Sequence, residues 1–192
     1  MRALAYLRVE VGRIFRTPLA WAILILTVCT PLLGHQWPIF AAGGTMNADF
    51  IANPVLACGL VGGLLYGVLT ALQLDKVHQS KVSVLTDAIV SPVTMGFCRT
   101  AAVAVSALCA IAMAALLHLP YTMAQVGRVF DMSLYLGAYF ILALPTLLFS
   151  ILIVSAAYHI AGRVDVSVVV LIVAMLASSQ TPRSSGSQNR RL

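Results

Sequence analysis

The residues of this chain whose types could do chemistry are four histidines, His35, His78, His118 and His159, and four cysteines, Cys29, Cys58, Cys98 and Cys109. Metal sites announce themselves by close spacing, as in His-Glu-x-x-His or Cys-x-x-Cys, and none of these residues falls in such a pattern. The histidines are too scattered to predict a shared ion. The cysteines lie in or beside apolar runs, where a thiol behaves as a small hydrophobe, so they read as filling rather than as ligands or disulfides. No nucleophile and base sit at a helical spacing that could bring them together, which ranks an intramembrane enzyme last. A phosphate-cradling loop requires Gly-x-x-x-x-Gly-Lys-Ser/Thr, and no Gly-Lys pair occurs anywhere. No cofactor is expected on this chain.

The elements that must position any site are set by composition. Hydrophobic residues make up 60% of the chain and charged ones 9%, with a mean hydropathy of +0.96. A soluble domain spends about a quarter of its residues on charge, so this chain is excluded from folding alone in water. A helix crossing hydrocarbon needs about 20 mostly apolar residues. Four runs qualify, at about 18–34, 50–74, 100–119 and 132–160. A fifth, 164–177, carries Asp165 and Ser167 near its start and, at roughly 14 residues, is short for a full crossing. The expected fold is an all-α polytopic membrane protein, with about five transmembrane helices in one domain over residues 1–178. Residues 179–192 form a polar tail whose Ser, Gln, Gly and Pro lack apolar partners, which predicts disorder.

Lys and Arg collect on the cytoplasmic side of short loops. Arg2, Arg8, Arg13 and Arg16 precede the first span, Lys76, Lys81 and Arg99 bracket residues 74–97, and Arg163 follows the fourth span. The opposite side has Arg128, with Trp37, Tyr121 and Tyr135 suited to the interface. The N-terminus is therefore expected in the cytoplasm, and the net charge of +6 suits the acidic lipids of a bacterial cytoplasmic membrane. No nucleic-acid partner is needed. Arg183, Arg190 and Arg191 break the alternation after five full crossings, so either the fifth segment crosses incompletely or the chain ends early.

At about 100° per residue, Leu4, Leu7, Val11, Ile14 and Phe15 share one face of an N-terminal helix over residues 2–16, with Arg2, Arg13 and Arg16 opposite. That predicts a helix lying in the membrane surface, its cations on anionic headgroups at about 1 kcal/mol each. The polar island LDKVHQSKVSVLTDAIVSPVTMGF repeats the device. Val77, Val84, Leu85 and Ala88 fall on one stripe and Lys76, Ser80, Ser83 and Asp87 on another, until Pro92 stops the pattern. Such a helix can dock into a partner's groove; a solvated loop is the alternative.

An amphipathic helix entering a first span (LRVEVGRIFRTPLAWAILIL), a second span, then LDKVHQSKVSVLTDAIVSPVTMGFCRTAAV, resembles the permease subunits of the ABC-2 family of ATP-binding-cassette exporters. The resemblance covers most of residues 1–178 and rests on pattern. It implies that the N-terminal helix is an elbow helix. It implies that segment 75–98 couples to a separate ATPase subunit carrying ATP and Mg, with Asp75, Lys76, Lys81, Val84, Leu85, Asp87 and Pro92 as the contact region. A second permease subunit, identical or different, would complete a pathway for a lipid, drug or peptide. The family has six spans with short re-entrant helices before the last; the sixth span is missing here. The alternative function is a structural or assembly subunit of a larger membrane complex, which binds a partner without any nucleotide-dependent change.

Gly59, Gly63 and Gly67 recur every fourth residue in the second span. They form a smooth strip for close helix approach, either within the bundle or at a dimer seam. Pro31, Pro54 and Pro145 each free a carbonyl and predict kinks. Spans two and three contain no Asp, Glu, Lys or Arg, which argues against a proton- or sodium-driven carrier. His118 and His159, near span ends, read as interfacial.

Overall fold

The computed structural model describes residues 2–36, 48–79 and 92–179, in which every regular element is helical. Helix α1 (Arg2–Phe15) ends in a turn where the Thr17 hydroxyl donates to the Ile14 carbonyl at 2.7 Å. Pro18, whose fixed φ suits a first helical position, opens α2 (Pro18–Gln36). A π-helical turn, Ala48–Ala52, leads into α3 (Asn53–Gln79). The longest helix is α4 (Pro92–Val126), whose 35 residues extend about 50 Å at 1.5 Å each. Asp131 caps α5 (Met132–Ala138), which passes through a second π turn, Tyr139–Ala143, into α6 (Leu144–Ala161). The chain reverses at Gly162, whose φ of +65° favours glycine, and α7 (Val164–Ser179) packs back against α6.

Four segments, Pro18–Gln36, Phe50–Lys76, Thr94–Val129 and Met132–Ala161, are long and apolar enough to cross a membrane; Val164–Ala177 is a shorter apolar helix. At 1.5 Å per residue, α7 covers about 24 Å, less than the roughly 30 Å of a hydrocarbon core.

Two boundaries differ from the sequence expectation. The third span is expected at 100–119, yet its helix begins at Pro92 and continues through Pro120 to Val126. Pro92 starts the helix, where a missing N–H costs no bond, and burial of Met95 and Cys98 keeps the next two turns against the bundle. Arg99 therefore stands two turns inside the helix. Pro120 removes one bond to the turn before it, but Val126 beyond it is buried, and packing carries the helix on. Likewise Pro54 and Pro145 do not interrupt helices. Each stands in the first turn after a π turn, whereas Pro31 lies inside α2.

Helices α2, α3, α4 and α6 bury one continuous core that includes Leu24, Val55, Tyr66, Val103 and Leu147. The strip on α3 faces α6 and α7 within the chain. A methyl on Gly59 would lie 3.3 Å from Ala143 Cα, one on Gly63 2.7 Å from Ser150 Oγ, and one on Gly67 against Leu171. The closest backbone approach is elsewhere. A methyl on Gly34 would lie 2.6 Å from Pro54 Cα and 2.7 Å from Pro54 N, so α2 and α3 cross there backbone to backbone.

Candidate functional site: the polar node beneath α1

Helix α1 buries most of the expected apolar face and extends it on one edge. Leu7, Val11, Ile14 and Phe15 pack on the core, while Leu4 is 77% exposed and Glu10 only 5%. At about 100° per residue exchanging Leu4 for Glu10 shifts the buried face by roughly 25° from the apolar stripe, towards Glu10.

The partners of Glu10 explain the shift. Arg99 Nε, from α4, lies 3.4 Å from Glu10 Oε1, and the two side chains are 11% and 6% exposed. The Tyr6 hydroxyl donates to Oε1 at 2.8 Å and accepts from Arg99 Nη2 at 3.4 Å. Arg13 Nη2 stands 2.7 Å from Oε2. That approach is off the hydrogen-bond direction, since Oε2 makes no hydrogen bond, so it acts as an ion pair alone. Burial, and then donation to Glu10, push the Tyr6 hydroxyl above its ordinary pKa, and it stays a donor at neutral pH.

A lone buried carboxylate costs several kcal/mol, and removing one partner of a buried pair costs about 3–5 kcal/mol. With two guanidiniums and a phenol around Glu10, the node acts as an anchor. It ties α1 to α4.

The same end of the bundle holds two further ties. Tyr158 OH, on α6, donates to Asp75 Oδ1 at 3.2 Å at the end of α3, and the Thr100 and Ser155 hydroxyls are 3.0 Å apart between α4 and α6. Beside them a cleft of about 470 Å³ opens between α4 and α6, lined by Phe97, Thr100, Ser155 and His159 among others.

Of the residues expected in the coupling segment, Asp75 is half-buried, Lys76 is exposed, and Pro92 opens α4. Lys81, Val84, Leu85 and Asp87 lie outside the described residues, as do Trp37 and tail residues 180–192. Among the N-terminal basic residues, Arg8 and Arg16 are exposed and Arg13 is engaged with Glu10; Arg2 belongs to α1, but its side chain is outside the described residues.

At the opposite end, the fold joins residues that are scattered in the sequence. The His35 and His118 ring centroids are 6.4 Å apart, and Tyr121 stands edge-on to His35 at 4.8 Å. His118 is 8% exposed, and its Nε2 lies 2.9 Å from the Val28 carbonyl. Its ring lies in the bundle interior, against α2.

Glu10 is the residue that sequence reasoning missed. The available signal was a single carboxylate among the basic residues of α1, three positions from Arg13; its second cation is 89 residues away. Comparisons of the chain with family models, curated proteins and solved structures return no match.

Proposed function

We propose that this chain is the membrane-spanning permease subunit of an ATP-driven exporter of the ABC-2 type. It works as a dimer with a second permease subunit and is powered by a separate ATPase subunit that carries ATP and Mg. The N-terminus and residues 75–98 lie in the cytoplasm of a bacterial cell, and the cargo is apolar or amphipathic, a lipid, drug or peptide.

The observation that carries this reading is the Glu10–Arg99 pair. It fastens the surface helix to α4, the helix that leaves the coupling segment. Force delivered to that segment by an ATPase would move α1 and α4 as one body. The scarcity of charge in the spans argues against an ion-driven cycle and favours an energy source outside the membrane.

The test is ATP hydrolysis by the full chain purified from its native membrane with whatever ATPase accompanies it. Val84→Asp and Leu85→Asp are each expected to lower that hydrolysis by an order of magnitude or more, with the chain still monodisperse. Hydrolysis and complex composition unchanged in both variants would overturn the proposal. Cross-links from Lys76 that ignore ATP would identify an assembly subunit instead.

A further inference from the structure

Neither the anchor nor the proposed cycle uses His35. Both of its ring nitrogens are sealed from solvent, and neither has a hydrogen-bond partner. Buried polar atoms are so regularly paired that each exception requires an explanation, and the explanation here stands alongside it in His118. A carbonyl only accepts, so His118 Nε2, 2.9 Å from the Val28 carbonyl, carries the hydrogen. Nδ1 is then left with a free lone pair. An imidazole whose other nitrogen is held by a backbone carbonyl is the usual form of a metal ligand.

We propose that His35 and His118 form a two-coordinate site for a soft monovalent cation, Cu(I). Such a site requires one nitrogen of each ring turned towards the ion, and the ring separation leaves room for it. Metal–nitrogen bonds of about 2 Å, with about 1.2 Å from each nitrogen to its ring centroid, set two opposed imidazoles about 6.4 Å apart, and about 5 Å apart at a tetrahedral angle. The observed separation is 6.4 Å.

Ligand number and charge select the same ion. No group of three or more His, Cys, Asp or Glu converges among the described residues, so those residues do not supply the four protein ligands of a structural zinc site. Both ligands are neutral, and the neighbouring rings are Tyr121 and Phe50. The cost of desolvating an ion in apolar surroundings is already large for one charge and grows with the square of the charge. A monovalent ion is therefore favoured over a divalent one, and imidazole is a suitable ligand for copper.

The site does not depend on the transport reading, and its test needs no ATPase. The probes are Ag(I), which shares the filled d shell of Cu(I) and is stable in air, and Cu(I) kept reduced with ascorbate. They are titrated into the full chain in detergent, with the exposed thiols Cys29 and Cys109 replaced by alanine. One tight equivalent is expected, with X-ray absorption showing two nitrogen neighbours and no sulfur. His35→Phe keeps a ring beside Tyr121, and His118→Gln keeps an N–H for the Val28 carbonyl. Each is expected to weaken binding at least a hundredfold. No tight equivalent, unchanged affinity in the variants, or sulfur or four-coordinate scattering would each overturn the proposal. If His118→Gln fails to fold, His35→Phe decides alone.

Discussion

The two ends of the bundle solve the same physical problem differently. At the α1 end, polar groups are satisfied by charge: Glu10 lies between Arg99 and Arg13, with Tyr6 donating to it. At the far end they are neutral: His118 holds a backbone carbonyl, Tyr135 donates to the Ala115 carbonyl at 2.7 Å, and His35 packs against Tyr121. Charge pairs bind strongly but must be desolvated, so they suit a place where a surface helix has to be pinned. Neutral rings and carbonyls suit close helix crossings such as Gly34 on Pro54. The difference teaches that one end ties its helices by charge and the other by neutral groups and close packing.

Breaking the ionic end should have the largest effect. Glu10→Ala leaves Arg99 buried without its carboxylate and is expected to destabilise the protein by about 3–5 kcal/mol. Replacing Glu10 and Arg99 together with leucine should recover much of that loss. Thermal unfolding in a single detergent measures both, and a double-variant loss equal to the sum of the two single-variant losses would show that the pair is not coupled. At the neutral end, Gly34→Ala pushes a methyl into the Pro54 backbone, which cannot rotate away. Overpacking of this kind costs about 1–3 kcal/mol, so a smaller loss than Glu10→Ala is expected in the same assay. The smallest change should carry the opposite sign. Gly12 lies in α1, and an added methyl there meets nothing within 4 Å. Gly12→Ala should stabilise by about 0.5–1 kcal/mol, and a loss instead would mean that this face of α1 is covered.

Much of the fold is legible in the chain because hydrocarbon thickness constrains it. Charge-free runs of the necessary length correspond to α2, α3, α4 and the continuous segment from α5 to α6, and the spacing of Leu7, Val11, Ile14 and Phe15 marks α1 as amphipathic. The helix bounds at Pro92 and Pro120 were not legible. Proline acts locally, whereas burial of Met95, Cys98 and Val126 acts through neighbours the sequence does not place. The same holds for the node. A wheel drawn from α1 alone ranks Glu10 with the polar face, because nothing within α1 shows that Arg99 will arrive from α4.

By itself, the sequence determined that this is a chain of apolar helices led by a basic amphipathic one, because the length and polarity of a run decide what it can bury. Tertiary structure alone decided which polar groups meet: Glu10 with Arg99, Asp75 with Tyr158, His35 with His118. Such pairs depend on how helices far apart in sequence approach and rotate against each other, and that is fixed by packing of the whole core rather than by any local pattern.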